Sequence, residues 1–148
     1  MSFAEETYKL ICWGDSVQYE ELIKLIPKDK FDMSPIPRLL LLGEEDIKPI
    51  LPELLFWMAD MNWPIAESIV HILLRFPKSL VPLIKERLKP TEDDDEWKYF
   101  IITALIPRFS IEVQRMFVDD LLRIVENPTD SEKDGAVWEA AKRCKSYC

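Results

Sequence analysis

Residues 63–76 read WPIAESIVHILLRF, and their pattern sets the architecture of the chain. At 100° per residue, one apolar stripe of a helix here consists of Ile65, Ile69, Ile72, Leu73 and Phe76. A second stripe, on roughly the opposite side, consists of Trp63, Val70 and Leu74. Because a helix at a protein surface has a single apolar face, two apolar sides predict a helix that lies between other helices.

Every other segment with a clear period also predicts a helix. Residues of the expected type flank these segments, such as Ser16 and Ser110 at helix starts and Gly43 just past a helix end. The predicted helices span residues 5–13, 16–26, 34–42, 44–61, 63–76, 79–88, 92–109, 111–126 and 130–147. The sequence therefore predicts an all-α fold.

The later helices group into pairs separated by short turns. Residues 44–148 form three helix–turn–helix units with periods of roughly 30 to 40 residues. Trp63, Trp97 and Trp138 lie near the start or middle of the second helix in each unit. We therefore expect one domain over residues 1–148, a short HEAT-like α-solenoid of antiparallel helix pairs that residues 1–43 cap with N-terminal helices.

The charge of the chain is acidic and uneven. The 148 residues include 27 acidic and 19 basic ones, for a formal net charge of −8, with 13 acidic and 6 basic residues in positions 1–74. Nucleic-acid binding needs a basic footprint, which is missing, and anionic membrane surfaces are disfavoured for the same reason. The acidity is consistent with simple solubility or with attraction to a basic protein partner.

The cysteines and the apolar runs indicate where the protein resides. Cys12, Cys144 and Cys148 form no CxxC motif, and an odd number of cysteines fits reduced thiols. The longest apolar run, residues 39–42, is far shorter than the roughly 18 residues of a membrane span. The N-terminus begins with acidic residues where a signal peptide has basic ones. We expect a soluble cytoplasmic protein.

Two resemblances to known families follow from these segments. Residues 52–69, with Pro52, Asp60 and apolar residues after the turn, resemble a HEAT repeat, and residues 82–98 are similar but have Pro90 in place of the turn Asp. Residues 20–145 resemble a family of small uncharacterised bacterial proteins through the motifs LIPKDK (25–30), WMADMNWP (57–64) and DEWKY (95–99). This resemblance implies a HEAT-like helical fold and no assigned activity.

The turn at residues 60–64, DMNWP, is the most distinctive motif, and it has two interpretations. In the structural one, Asn62 or Trp63 is the N-cap of the next helix and Pro64 lies in its first turn. In the functional one, Asn62 and Trp63 form an edge that contacts a ligand. The structural interpretation is favoured, because a Trp side chain gains much from burial and its N–H needs only one partner.

No catalytic or metal-binding constellation emerges from the remaining motifs. His71, the single histidine, falls between Glu67 and Arg75 on the polar side of its helix. The five acids at residues 92–96 predict caps and favourable charges at a helix start rather than a metal site. Residues 130–135 only superficially resemble a calcium loop, since its twelfth position is Ala141 instead of Glu. We predict no catalytic residue, no metal and no cofactor.

These observations lead to a non-enzymatic protein-binding helical-repeat module, such as an immunity or adaptor protein that masks a basic partner. The alternative is an enzyme or small-ligand binder with an aromatic and acidic pocket near Trp63 and Trp97. A homodimer in which a second copy covers Phe56 is a third possibility. The candidate binding residues are Trp57, Asp60, Asn62, Trp63, Glu96, Trp97 and Tyr99.

Overall fold

The computed structural model describes residues 19–145, and this part of the chain is helical without any β-strand. The helix predicted over residues 5–13 and the N-cap predicted at Ser16 lie outside the described residues. The α-helices are α1 (Tyr19–Ile23), α2 (Ile36–Leu39), α3 (Glu44–Ile47), α4 (Leu51–Phe56), α5 (Ala66–Leu73), α6 (Pro77–Arg87), α7 (Asp95–Phe100), α8 (Ile111–Arg115), α9 (Val118–Glu126), α10 (Asp130–Asp134) and α11 (Val137–Lys145).

Three helical turns of other types lie between these helices. Two 3-10 turns span Lys48–Ile50 and Ile106–Arg108, and a π-helical turn spans Ile101–Leu105. The predicted helix 92–109 is therefore one helical run from residue 95 to residue 108 in which the winding changes twice. Pro107, in the last turn, lacks the N–H that would continue regular α-helical bonding.

Helix α5 is buried on both of the sides predicted for it. Ile69 and Leu73 from the first stripe and Val70 from the second are fully buried. Trp63 and Leu74, at the ends of the second stripe, are half-buried and pack against the same core. Helix α5 contacts both α4 and α2, and packing against more than one helix explains why it is apolar on two sides.

The helix predicted over residues 44–61 is wrong as a single element, because prolines divide it. Pro49 stands in the first turn of the 3-10 segment and Pro52 in the first turn of α4. A proline has no N–H and so cannot donate the hydrogen bond of a helix interior, whereas it is tolerated at a helix start. The apolar period continues through the break, since Ile47, Ile50 and Leu54 are all buried.

Other predicted helices also begin late or are interrupted. The helix expected from Asp32 or Ser34 to residue 42 begins only at Ile36, and no side chain caps it. The helix expected over residues 111–126 is interrupted between α8 and α9. The last predicted helix is divided at Gly135, whose extended backbone (φ −97°, ψ −169°) separates α10 from α11. Periodicity continues across such breaks, so it could not reveal them.

The helices pack into one connected core. Helix α9 lies against α11, α11 also contacts α7 and the π-helical turn, and α6 contacts α8. Buried apolar side chains form a continuous cluster that extends from Leu22 in α1 to Cys144 in α11. This arrangement holds the ends of α4 and α7 in fixed positions, and those ends carry the aromatic residues of the candidate site.

Candidate functional site

Three tryptophan side chains surround Phe56, and the four residues come from three parts of the chain. The ring centroid of Phe56 lies 5.4 Å from that of Trp57, 5.7 Å from that of Trp63 and 5.9 Å from that of Trp97. Trp57 and Trp63 are themselves 5.6 Å apart. These separations and the tilted or edge-to-face angles are those of favourable aromatic pairs. We call these four residues the aromatic cluster.

The aromatic cluster is open to solvent at its centre. Phe56 is 43% exposed, and the three tryptophans around it are half-buried. Phe56 is the last residue of α4, and its side chain is not part of the buried core. One exposed ring bordered by three half-buried rings forms a partly exposed aromatic patch, and aromatic residues are enriched at interaction sites.

A groove adjoins the aromatic cluster at Trp97. Its volume is about 190 Å³, and its lining residues are Pro52, Leu55, Leu83, Glu86, Arg87 and Trp97. The Arg87 guanidinium lies 5.1 Å from the Trp97 ring centroid, and its Nη1 is 2.7 Å from a carboxylate oxygen of Glu92. Because Trp97 belongs to both features, the groove and the cluster form one continuous surface.

The turn at residues 60–64 is held by its own polar groups. One carboxylate oxygen of Asp60 accepts hydrogen bonds from the backbone N–H of Asn62 at 2.8 Å and from its side-chain amide at 2.9 Å. The backbone N–H of Trp63 donates to the carbonyl of Asp60. The predicted N-cap at Asn62 or Trp63 is wrong, because α5 begins after Ile65 and no side chain caps it. Asp60 and Asn62 shape the turn that carries Trp63.

The acidic run before Trp97 caps a helix, as predicted. A carboxylate oxygen of Asp94 accepts a hydrogen bond from the backbone N–H of Trp97 at 3.0 Å, which fixes the start of α7. Glu96 is exposed on the first turn of α7 and enters no ion pair with a described residue. Tyr99 packs edge-to-face on Phe100 with the ring centroids 5.1 Å apart, away from the other predicted aromatic residues.

The structure thus brings together only part of the predicted set. Trp57, Trp63 and Trp97 share one cluster, and Asp60 and Asn62 support it from the adjoining turn. Tyr99 follows Trp97 by two residues, which is about 200° around the helix, so the two side chains diverge. Phe56, which the sequence suggested only as a dimer contact, is the residue that joins the three tryptophans.

A buried ionic network adjoins this surface, and no role was predicted for its members from the sequence. Lys98 and Glu132 are both completely buried, and their charged atoms are 2.7 Å apart. The Lys98 ammonium also donates to the carbonyls of Lys89 and Glu92, both at 3.1 Å. Arg123 donates to both carboxylate oxygens of Glu132. The network ties the end of α6 and the start of α7 to α9 and α10.

The charge state of Glu132 follows from these partners. Burial by itself raises the pKa of a carboxyl group. The hydrogen bonds from Arg123, Lys98 and the backbone N–H of Thr129 outweigh burial and lower the pKa of Glu132 to about 2. One signal for this residue was present in the sequence, because Thr129 and Glu132 have capping-box spacing and form that box at the start of α10.

His71 and Cys144 lie outside the aromatic cluster and the groove. His71 is exposed beside Glu67, with 3.3 Å between the imidazole Nε2 and a carboxylate oxygen. Cys144 is buried and lines a second cavity of about 210 Å³. Within residues 19–145, no three His, Cys, Asp or Glu side chains converge as metal ligands would. No helix in this same range has the length and apolar character needed to cross a membrane.

Over residues 19–145 the chain is all-helical, and its partly exposed aromatic cluster lies beside a mainly apolar groove. Residues 25–144 match the family described as a domain of unknown function, DUF5071, and the chain belongs to this family. The resemblance to an uncharacterised family is thereby confirmed over most of the range expected from the motifs. A search of curated proteins finds no match to the chain.

Proposed function

We propose that this protein is a non-enzymatic binding module that holds a basic protein partner on the aromatic cluster. The observation that carries the proposal is Phe56, a large apolar side chain that is 43% exposed among three tryptophans. Aromatic residues in a central patch provide much of the binding energy at protein interfaces. Each ring also offers a face to a lysine or arginine of the partner.

The charges around the aromatic cluster favour a basic partner. Residues 51–63 and 83–97, which carry the cluster and the groove, include eight acidic and three basic residues. Glu53 and Glu96 are exposed and enter no ion pair with a described residue, so their charges are available to a partner. Glu53 precedes Phe56 by three residues, which places both on one side of α4. Complementary charge of this kind raises association rates and excludes acidic competitors.

A HEAT-like arrangement of helix pairs is part of the same proposal. In it, α4 pairs with α5, α6 with the helical run 95–108, and α9 with α11. Contacts of α6 with α8 and of α7 with α11 support the stacking of successive pairs. Such stacks are typical of modules that bind other proteins. A cytoplasmic immunity or adaptor protein of a bacterium that masks a basic partner would fit this description.

Matched variants test the proposal in an affinity capture from a lysate of the source organism at low ionic strength. The bait is the full chain, as wild type, as Phe56→Ala and as Phe31→Ala. Phe31 is a suitable control because it is 66% exposed and is not part of the aromatic cluster. We expect the wild type and the control to retain the same basic protein, and Phe56→Ala to lose it.

Capture that is indifferent to Phe56→Ala, or a partner with an acidic binding face, would contradict the proposal. Light scattering measures the molar mass of the isolated chain and so tests whether it forms a homodimer. If a dimer forms and Phe56→Ala converts it to monomer, a second copy occupies the aromatic cluster and the basic partner is excluded.

The groove favours a second candidate, a binder or enzyme for a small ligand. A catalytic carboxyl group needs a pKa raised toward neutrality. The pKa shifts found at Asp32, Glu86 and Glu132 are all downward, through hydrogen bonds or cationic neighbours. The binding module is therefore preferred. Saturable quenching of tryptophan fluorescence by a small metabolite, abolished in Trp97→Ala, would reverse that preference.

A further inference from the structure

The groove beside Trp97 has the size and lining of a pocket for one side chain. Its floor is the buried Leu55, and Pro52, Leu83 and Trp97 add further apolar surface. A cavity of about 150 Å³ lined by apolar residues can hold a benzene ring. The groove, at about 190 Å³, therefore has room for a single leucine, methionine or phenylalanine side chain.

The charged groups that line the groove are already paired within the chain. The Arg87 guanidinium is engaged by Glu92 and by the Trp97 ring. Glu86 is 2.8 Å from the ammonium group of Lys89. Since both charges have partners, the groove offers little attraction to a charged ligand group and favours an apolar one. The exposed carboxylates of Glu53 and Glu96 are not among the groups that line the groove.

We propose that the partner inserts one large apolar side chain into this groove and places a lysine or arginine, a few residues away, against Phe56 and Glu53. The ligand is then a basic peptide segment with a single apolar anchor. Trp97 contributes to both subsites, because its ring lines the groove and contacts Phe56. This inference rests on the proposed function and specifies what the partner presents to that site.

A random peptide library displayed on phage and selected against the full chain provides the probe. The enriched peptides are expected to share one large apolar residue with a lysine or arginine within about four positions. Binding is then measured with the best synthetic peptide. Leu83→Trp fills the groove and is expected to weaken binding at least tenfold. Leu41→Trp, which adds the same bulk at an 84% exposed position away from the groove, should leave binding unchanged.

A second variant, Leu83→Ala, keeps the test valid if Leu83→Trp does not fold. In Leu83→Ala the cavity grows, so repeated selection should shift the anchor toward tryptophan or phenylalanine. Peptides bound equally well by wild type and Leu83→Trp, together with an unchanged anchor in Leu83→Ala, would overturn the groove inference.

The two proposals fail in different ways. If the selected peptides are basic and lose affinity in Phe56→Ala but ignore every change at Leu83, the proposed function stands and only the groove inference falls. If no basic peptide is enriched, or Phe56→Ala binds as well as wild type, the proposed function falls as well.

Discussion

The buried carboxylate of Glu132 bonds to the Lys98 ammonium, the Arg123 guanidinium and the backbone N–H of Thr129 instead of to water. Removing one charge of such a buried set leaves the others uncompensated, which costs about 3–5 kcal/mol. We expect Glu132→Gln to lower the free energy of unfolding by that amount, because Lys98 is fully buried and loses the carboxylate that pairs with it. Urea denaturation followed by circular dichroism measures the loss.

The matched control for this substitution is Glu112→Gln. Glu112 is exposed on α8, so the same change of charge should alter the free energy of unfolding by less than about 0.5 kcal/mol. Equal effects at the two positions would show that the buried network contributes nothing beyond net charge.

The same carboxyl group makes stability depend on pH. The pKa of Glu132 falls from 4.5 to about 2 on folding, so its contribution is complete above pH 4.5 and is lost as the pH falls through about 2. That shift corresponds to about 3 kcal/mol. We expect the stability difference between wild type and Glu132→Gln to shrink over this window. A difference that is constant from pH 5 to pH 2.5 would contradict the assigned pKa shift.

At the scale of the element, α5 illustrates what periodicity can predict. Val70 is completely buried on the second apolar side, and its neighbour His71 is exposed. We expect Val70→Ala to cost about 2 kcal/mol, because it removes two methyl groups and leaves a cavity. His71→Ala should change the free energy of unfolding by less than about 0.5 kcal/mol. Thermal unfolding of both variants and of wild type measures these two changes in the free energy of unfolding.

Helix ends were predicted less well than helix faces, and the reasons are local. The Ser110 hydroxyl accepts the backbone N–H of Val113, as its position before an apolar run predicted. The prolines at 49 and 52 start new elements within a continuous apolar pattern, so the pattern concealed the break. At residues 60–64 the polar atoms of Asp60 and Asn62 bond within the turn, and the N-cap predicted there does not form.

The candidate site could be predicted in part for a similar reason. Distinctive residues near a turn drew attention to Trp57, Trp63 and Trp97, and the fold brings these three together. The central position of Phe56 depends on where α4 ends, which the sequence pattern did not indicate. Lys98, Glu132 and Arg123 come from separate helices, so only the tertiary packing shows that their charges meet.

For the whole molecule, the shared core predicts a single unfolding transition. The buried network connects α6 and α7 with α9 and α10, so these helices cannot separate without exposing charges that have lost their partners. Repeat proteins with weaker junctions unfold stepwise. We expect tryptophan fluorescence and far-ultraviolet circular dichroism to give coincident denaturation curves. Two separated midpoints would indicate that the helix pairs unfold independently.

The reactivity of the buried Lys98 side chain can report how often α7 separates from α10. Its ammonium group gives its three hydrogen bonds to two carbonyls and a carboxylate and has no exposed surface. An amine-reactive reagent can therefore acylate this nitrogen only during moments when α7 has left α10. Mass spectrometry of peptides from samples labelled for increasing times measures the rate at which Lys98 is acylated. Comparison with the exposed Lys24 then gives the rate of opening.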